Sequence, residues 1–444
     1  MNADFAKDAQ DPRDLLVRST TNKHLDKDVD LLYNRIMKFK YVCNDCGREF
    51  VTDEIIYTCP ECSAKNNDRE FRYGNLNVEI DEAELKALSK KPHVSYEDFF
   101  VYPLPNKEAY PVGGTPIARP LSISKRLGLK NLFFKLDSQL PSGSFKDRAS
   151  QFVVAQALHH GVNKIALAST GNAGAAMSCA GAAYGLEIVL FVPATAPINK
   201  LMQSVIYGAT VVPVKGTYDD AFALSIEYTK EFGGINRNTA YNPMTIEGKK
   251  SVSIELFEQL GRKVPDVFYV PVGDGCIISG VAKGFYDLKK AGLIDKLPHL
   301  VAAQSEESAA ISNAFNTGKF LNIDKATTRA DSISVESPAA GRTAVRRIKE
   351  SDGWCTVVSD EALLKAERTL ASEAGVFVEP AAATAFAVLE KDAPMLIKKF
   401  GADVNVGVLL TGTAFKDMKV FEGKVSLPES IENSKEAVIK RFRK

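Results

Sequence analysis

The sequence has no excess of charge of either sign, because 56 lysine and arginine residues stand against 55 aspartate and glutamate residues and the formal net charge is +1. A chain without a basic excess has no long-range field that would attract nucleic acid or an anionic membrane. We therefore expect neither partner, and any anionic ligand has to be bound by local groups.

Long apolar runs are missing as well. The most apolar stretch, LEIVLFVPATAP, is shorter than the roughly 20 residues that cross a bilayer, and prolines interrupt it. The first residues, MNADFAKDAQDPRDLL, are charged and lack the apolar core of a secretory signal. Internal repeats and low-complexity tracts are also absent from the sequence. These features predict a cytoplasmic, globular protein.

Cysteine pairs are present near the start of the chain. Cys43 and Cys46 form one Cys-x2-Cys pair, and Cys59 and Cys62 form a second pair twelve residues further on. In a chain without an export signal, such pairs favour a metal site over disulfides. Four thiolates can surround one ion tetrahedrally, and a filled coordination sphere makes the metal structural. We predict a zinc ribbon, with a rubredoxin-like iron site or unliganded thiols as alternatives.

A zinc ribbon also suggests a different class of function, a nucleic-acid-binding module. The balanced charge and the large body behind the ribbon count against that alternative.

The rest of the chain alternates short apolar strands with helical stretches from Thr115 onward. This alternation predicts an α/β fold with a parallel sheet covered on both faces, and in such sheets the loops after the strands carry the ligand site. We divide the chain into five segments: a charged leader over 1–40, the ribbon over 41–75, a linker with a helix over 76–114, a catalytic body of two interleaved lobes over 115–420, of which the smaller covers about 148–240, and a tail over 421–444.

Four loops of this body carry side chains or glycines that suit one cofactor. SGSFKDRAS places Lys146 at a helix start, STGNAGAA contains Asn172, VPVGDGC is rich in glycine, and LLTGTAFKD places Thr411 at a strand end. Taken singly, each loop has a purely structural interpretation, because βα connections favour Gly, Ser and Thr. Pyridoxal phosphate carries an aldehyde, a phosphate, a phenolic oxygen and a ring nitrogen. A lysine forms a Schiff base with such an aldehyde, and a helix N-terminus binds phosphate.

The ordered motifs extend this pattern over most of Gly113 to Asp417. GGTPIARP, SGSFKDRAS, STGNAGAA, NPMTIEGKKS, VPVGDGC, VFVEPAAATA and LLTGTAFKD follow one another as they do in a known family. The chain resembles the fold-type II pyridoxal-phosphate enzymes, which are tryptophan synthase β-like, and most closely the threonine synthase-like branch. The resemblance implies two parallel or mixed-sheet lobes and a homodimer, and many members of the branch also carry an N-terminal cysteine ribbon.

Residue roles follow from this resemblance. It implies that Lys146 holds the cofactor covalently and moves protons at the substrate's carbons. Asn172 would bond the phenolic oxygen of the cofactor, and Thr411 would face its ring nitrogen. The remaining implied contacts are a phosphate cradle and a loop for the substrate carboxylate, formed by Gly273, Asp274, Gly275, Cys276 and Ile277 and by Ser169, Thr170 and Gly171, respectively.

The implied reaction is elimination or replacement at the β or γ carbon of a small amino acid. Threonine synthases act on O-phosphohomoserine and need donors for its phosphate. Three expected donors are replaced here by Ala173, Ala240 and Thr245. A buried dianion without paired donors is costly, which argues against an unmodified phosphohomoserine site. Asp274 adds a carboxylate beside the cradle, where it would repel a phosphate unless it turns away.

Several alternatives stay open. Lys249, Lys250 or Arg342 are candidates to replace the missing cations. A β-eliminating ammonia-lyase or dehydratase acting on threonine, serine or a diaminopropionate-like substrate needs no second phosphate pocket. A β-replacement synthase is another candidate, and a pseudoenzyme that keeps the fold is the last.

Overall fold

The computed structural model describes residues 36–104, 106–423 and 425–443. The leader predicted for 1–40 therefore lies outside the described residues as far as residue 35. The strands of the described residues form three sheets and are β1 Phe39–Cys43, β2 Glu49–Phe50, β3 Leu76–Ile80, β4 Ile117–Ala118, β5 Asn131–Leu136, β6 Lys164–Ala168, β7 Glu187–Pro193, β8 Thr210–Val214, β9 Ile235–Asn236, β10 Val267–Pro271, β11 His299–Ser305, β12 Trp354–Val358 and β13 Asn405–Leu410.

The helices of the described residues surround these sheets. They are α1 Pro60–Ser63, α2 Glu82–Leu88, α3 Leu121–Leu127, α4 Lys146–His159, α5 Asn172–Tyr184, α6 Ile198–Ile206, α7 Tyr218–Phe232, α8 Met244–Lys249, α9 Ser251–Gln259, α10 Cys276–Lys290, α11 Ala310–Thr317, α12 Gly341–Glu350, α13 Asp360–Ala374, α14 Pro380–Phe400 and α15 Lys435–Phe442. Within the described ranges, no helix has the length and apolar character that crossing a membrane requires.

The largest sheet has six strands in the order β12-β11-β10-β13-β5-β4. All neighbouring strands are parallel except β4, which runs antiparallel to β5 at one edge. Every residue of β10 is buried, and β13 is buried after its first residue. Such continuous apolar strands are typical of a parallel sheet with both faces covered. Helix α14 packs on β10, β11 and β13.

A smaller sheet has four parallel strands in the order β8-β7-β6-β9. It spans residues 164–236, inside the range predicted for the smaller lobe. Helix α7 packs on β6 and β7, and α4 packs on both α5 and α8. Because α4 begins at Lys146, the start of this helix lies where the two sheets meet.

A buried ion network fixes the first turn of α4. The Arg148 guanidinium donates to both oxygens of Asp137, with Nε at 2.5 Å from Oδ2 and Nη2 at 3.0 Å from Oδ1. It also donates to Glu255 at 3.0 Å, and Lys135 donates to the same carboxylate. All four side chains are buried. Lys135 lies in β5 of the large sheet, and Asp137 directly follows that strand. The network therefore links the start of α4 to this sheet.

The third sheet is the antiparallel ribbon β2-β1-β3 near the start of the described chain. Cys43 ends β1 and Cys46 lies in the turn after it, whereas Cys59 is the N-cap of α1 and Cys62 lies within that helix.

Candidate active site

The loop before Lys146 is held by the end of β13. Phe145 N donates to the carbonyl of Thr411 at 2.7 Å, and Thr413 N donates to the carbonyl of Gly143 at 3.1 Å. Ser144 and Gly412 form an isolated β-bridge between the same segments. Thr411 therefore lies beside the start of α4, so the structure brings together two segments that are far apart in the sequence, one ending at Lys146 and the other containing Thr411.

The Lys146 ammonium makes no hydrogen bond or ion pair with another described residue. Burial lowers its pKa, and the Arg237 charge acts in the same direction, whereas Cys276, Glu379 and Asp274 act against them. A lysine with a lowered pKa has more of its neutral, nucleophilic amine at a given pH. The amine is therefore free to react with an aldehyde.

Asn172 begins α5 and contacts a carboxylate that the sequence analysis did not assign. Its Nδ2 donates to both carboxylate oxygens of Glu379 at 3.1 Å and to Ser332 Oγ at 3.2 Å. Glu379 is buried, and this burial raises its pKa, although the bond from Asn172 and the charge of Lys146 oppose the shift. Its position within the VFVEPAAATA motif was the available signal. The two side chains join the lobes beside Lys146.

The glycines after β10 leave no space for side chains. A Cβ on Gly273 would lie 2.8 Å from the Cα of Ile333. Gly275 has φ +84° and precedes the 15-residue helix α10, and a Cβ there would lie 2.8 Å from that of Ala344. The first N–H groups of a helix have no partner within it, and they carry the positive end of the helix dipole. The turn from Gly273 to Ile277 therefore suits a phosphate.

The Asp274 carboxylate in this turn has a hydrogen-bond partner of its own. Its Oδ1 accepts from Ala339 N at 3.2 Å, and its carbonyl accepts from Ala340 N at 2.8 Å. The repulsion expected from the sequence is thereby reduced, because the carboxylate is bound to a backbone donor just before α12.

The loop from Ser169 to Gly171 follows β6. Ser169 is buried, and its Oγ accepts from Gly171 N at 3.3 Å and from Gly174 N at 3.0 Å. Thr170 and Gly171 are partly exposed. The Ser169 hydroxyl thus fixes the loop by hydrogen bonds within it. Thr170 and Gly171 stay accessible to a ligand just before α5.

The positions that depart from the family pattern hold no free donor. The Thr245 hydroxyl donates to the carbonyl of Asn242 at 2.7 Å and accepts from Ala240 N at 3.2 Å. Ala240 is buried, and Ala173 at the start of α5 is partly buried. None of these three side chains can therefore donate to a substrate phosphate.

The structure separates the three candidate replacement cations. Lys250 is buried between Glu247 and Asp287 and is therefore neutralised. The Arg342 guanidinium stacks on Tyr73, with Cζ 3.6 Å from the ring centroid, and it forms an ion pair with Glu70. Arg342 therefore belongs to the contact with the ribbon.

Lys249, in contrast, is buried with no carboxylate partner among the described residues and lies near Cys276. Arg237 is a further buried cation in the same surroundings. Arg237 could not be recognised from the sequence, because a single arginine in INRN has no recognisable motif.

The four ribbon cysteines converge. Their sulfur atoms all lie within 4.8 Å of one another, and Cys46 Sγ lies 3.8 Å from Cys59 Sγ. Tetrahedral zinc with bonds of about 2.3 Å separates its sulfur ligands by about 3.8 Å. The cluster of Cys43, Cys46, Cys59 and Cys62 is therefore of the right size to hold one metal ion.

The ribbon contacts the segment that carries Arg237. Asn236 N donates to Tyr57 Oη at 2.9 Å, and Asn75 Nδ2 donates to the carbonyl of Ala240 at 3.1 Å. The rings of Tyr57 and Tyr241 also stack with centroids 4.7 Å apart. Segment 236–241 is thereby held at both ends by ribbon residues.

Sequence and structural comparisons agree with this arrangement. The family described as "Pyridoxal-phosphate dependent enzyme" matches residues 109–412. Threonine synthase of Methanosarcina acetivorans is 33% identical over 84% of this chain and 91% of its own length. Threonine synthase of Halalkalibacterium halodurans is 35% identical over 74% of this chain and 90% of its own length.

Solved structures show the same fold. Threonine deaminase isoform 2 of Solanum lycopersicum has a TM-score of 0.62 at 19% identity and covers 84% of this chain and 98% of its own. Maize serine racemase has a TM-score of 0.61 at 23% identity and covers 70% and 91%, respectively. The predicted fold class is confirmed. Lys146, which has no partner among the described residues, and the glycine-containing turn at a helix N-terminus also fit the cofactor's aldehyde and phosphate. The chain therefore belongs to the pyridoxal-phosphate-dependent enzyme family, as a lyase of its threonine synthase-like branch.

Proposed function

We propose that Lys146 is the catalytic residue of an elimination or replacement reaction at the β or γ carbon of an amino acid. The observation that carries this proposal is the Lys146 ammonium, which is partly buried, has no hydrogen-bond or ion-pair partner among the described residues, and lies close to Cys276 at the start of α10. When bound, pyridoxal phosphate supplies an electron sink that acidifies the substrate's α-carbon. Lys146 Nζ would take the α-proton and return it, and its lowered pKa favours the neutral amine that acts as the base.

The surrounding residues would hold the cofactor and the substrate. The N–H groups from Gly273 to Ile277 suit the cofactor phosphate, Asn172 Nδ2 its phenolic oxygen, and Thr411 its ring nitrogen. The loop of Ser169, Thr170 and Gly171 suits the substrate carboxylate. Glu379 would orient the Asn172 amide, since it accepts hydrogen bonds from Nδ2 through both oxygens.

The names of the curated relatives favour threonine formation from O-phosphohomoserine. Ala173, Ala240 and the internally bonded Thr245 favour a second candidate, a β-eliminating ammonia-lyase, because none of them offers a donor to a substrate phosphate. A substrate panel distinguishes the two. The protein is incubated with O-phosphohomoserine, threonine, serine and 2,3-diaminopropionate, and phosphate, ammonia, 2-oxo acid and threonine are measured.

We expect turnover of at least one of these substrates with the cofactor bound. Release of phosphate together with threonine would establish the first candidate. Release of ammonia and a 2-oxo acid, without release of phosphate from O-phosphohomoserine, would establish the second. Absence of turnover with all four, in protein that carries the cofactor, would contradict both.

We also propose that the cysteine cluster holds one structural zinc ion. The sulfur separations support this, and four protein ligands leave no open coordination position. Metal analysis should find about one zinc per chain in the wild type and almost none after Cys59→Ser, because loss of one thiolate breaks the tetrahedral set.

The matched control for the metal site is Cys355→Ser, which changes a cysteine of β12 outside the cluster. This variant should retain the metal. Iron in place of zinc, or wild-type protein without metal, would refute the proposal. A homodimer and a cytoplasmic location, inferred from the sequence, stay predictions.

A further inference from the structure

Two buried cations of the described chain have no carboxylate partner. Arg237 is 0% exposed, and its Nη1 donates to Thr239 Oγ1 at 2.9 Å, whereas its Nε and Nη2 have no hydrogen-bond partner among the described residues. Lys249 is also 0% exposed, and its Nζ donates to the carbonyl of Thr245 at 2.7 Å without any ion pair. Donors of both side chains therefore remain unused.

The other buried lysines and arginines in the described part of the chain are all ion-paired. They are Lys135, Arg148, Lys250, Lys283 and Arg347. An unpaired buried charge is costly, so folding stability alone does not explain why Arg237 and Lys249 differ from this set. A bound anion would satisfy them.

Both cations lie at the Lys146 site. Arg237 follows β9, where its backbone N donates to the carbonyl of Ala166 at 2.8 Å. Lys249 ends α8 against α10, because a Cβ on Gly280 would lie 2.4 Å from the Lys249 Cβ. Burial lowers the pKa of Lys249 to about 7, and the charges of Arg237 and Lys146 act in the same direction. The cations are thus close enough to influence one another.

None of the described acidic groups around this pair forms an ion pair with it. Burial raises the pKa of the Cys276 thiol to about 12, so the thiol is uncharged at neutral pH. Burial likewise raises the pKa of the Tyr218 phenol. The Asp274 carboxylate accepts from Ala339 N, and the Glu379 carboxylate accepts from Asn172. Neither carboxylate forms an ion pair with Arg237 or Lys249 in the described part of the chain, so the unused donors of both cations remain available to a ligand.

We propose that Arg237 and Lys249 form an anion subsite for the side chain of the substrate. The substrate is then an amino acid whose side chain ends in an oxyanion: a phosphate ester, a sulfonate or a carboxylate. The N–H groups of Nε and Nη2 lie along one edge of the guanidinium and match two oxygens of such a group. The Lys249 ammonium can reach a further oxygen. The inference rests on the proposed function, which places the amino acid at Lys146.

This subsite would replace the donors missing at Ala173, Ala240 and Thr245. Its residues are Arg237, which follows β9, and Lys249, which lies on α8. The ribbon supports it from outside, since Tyr57 and Asn75 fix the segment on both sides of Arg237.

Binding to the cofactor-loaded protein tests the subsite. The wild type is titrated with O-phospho-L-serine, L-cysteate and L-aspartate, and with the neutral L-serine and L-asparagine, while the visible absorption of the cofactor is followed. At least one anionic ligand should bind about tenfold more tightly than its neutral counterpart. The preferred ligand identifies the oxyanion. Arg237→Met should reduce this preference about tenfold or more, because it removes a charge-assisted bidentate contact.

Control variants make the test specific. Arg237→Lys should retain part of the preference, and Arg262→Met, which changes a partly exposed arginine paired with Glu258, should retain all of it. Equal binding of anionic and neutral ligands by the wild type, or an unchanged preference in Arg237→Met, would overturn the subsite. Loss of cofactor absorption in Arg237→Met would assign the residue to the cofactor phosphate and would overturn it too. Failure of the proposed function differs, because wild-type protein would then carry no cofactor or turn over no substrate.

Thermal unfolding without cofactor or substrate provides a readout that a structural role would not share. Removing an unpaired buried charge should raise the unfolding midpoint of Arg237→Met by about 2–4 °C. A lower midpoint in this variant, with Arg262→Met unchanged, would indicate a supporting role in the fold and contradict the proposal.

Discussion

Replacement of Lys146 by alanine will remove the covalent attachment of pyridoxal phosphate and lower turnover by about 10³-fold or more. The size follows from losing both the nucleophile and the general base, of which the base alone contributes about 10²–10⁴-fold. Wild-type protein should be yellow, and borohydride should fix the cofactor on the peptide that contains Lys146. The variant should show neither property when it is prepared in the same way.

Two controls separate chemistry from folding in this experiment. Lys130→Ala changes an exposed lysine paired with Asp403, and it should keep both colour and turnover. A small primary amine added to Lys146→Ala should restore some turnover if the missing group is an amine that moves a proton. Borohydride labelling of a different lysine, or full activity in Lys146→Ala, would contradict the assignment of Lys146.

Replacement of Arg148 by methionine will lower the free energy of unfolding by about 3–5 kcal/mol, because it leaves the buried Asp137 carboxylate unpaired and Glu255 with Lys135 alone. Denaturant midpoints of wild type and variant measure the difference. The matched control is Lys86→Met, which breaks an exposed pair with Glu82 and should cost less than about 1 kcal/mol. A loss for Arg148→Met no larger than the control's would show that the network does not stabilise the fold.

The same network predicts the pH dependence of this difference. Burial would raise the pKa of Glu255, but the charges of Arg148 and Lys135 outweigh it and lower the pKa from 4.5 to about 2. Because the folded-state pKa lies below the unfolded value, the stabilisation is present above pH 4.5 and is lost as the pH falls toward 2. The gap between wild type and Arg148→Met should therefore be constant near neutral pH and narrow below pH 4.5.

Sequence patterns predicted the fold class and the grouping of the loops, because strand–helix alternation and the carboxyl ends of parallel strands restrict where such loops meet. Lys146, Asn172 and Thr411 could be selected in this way. Glu379 offered only its place in the VFVEPAAATA motif and Arg237 offered no motif, since the importance of both arises from burial and from the partners they have or lack. An arginine in a sequence is usually an exposed residue, and Arg237 is exceptional through its unused donors alone.

Thr245 shows that residue type alone does not identify a residue that can donate to a ligand. Its hydroxyl is a donor in the sequence, but the fold directs it to the carbonyl of Asn242. The buried cations could likewise not be ranked from the sequence, because Lys249 and Lys250 are neighbours in the chain. Helical geometry directs Lys250 to Glu247 and Asp287, whereas Lys249 packs against Gly280 and has no acidic partner among the described residues.

The hold that the ribbon exerts on segment 236–241 has a thermodynamic consequence. If the ribbon fixes the position of Arg237, then ordering of the ribbon and binding at Arg237 are linked, and linkage acts equally in both directions. A ligand bound at Arg237 would then stabilise the ribbon by the same free energy that an ordered ribbon adds to ligand binding. The structural zinc proposed for the ribbon would then take no part in the reaction, but it would still affect which amino acids the enzyme binds.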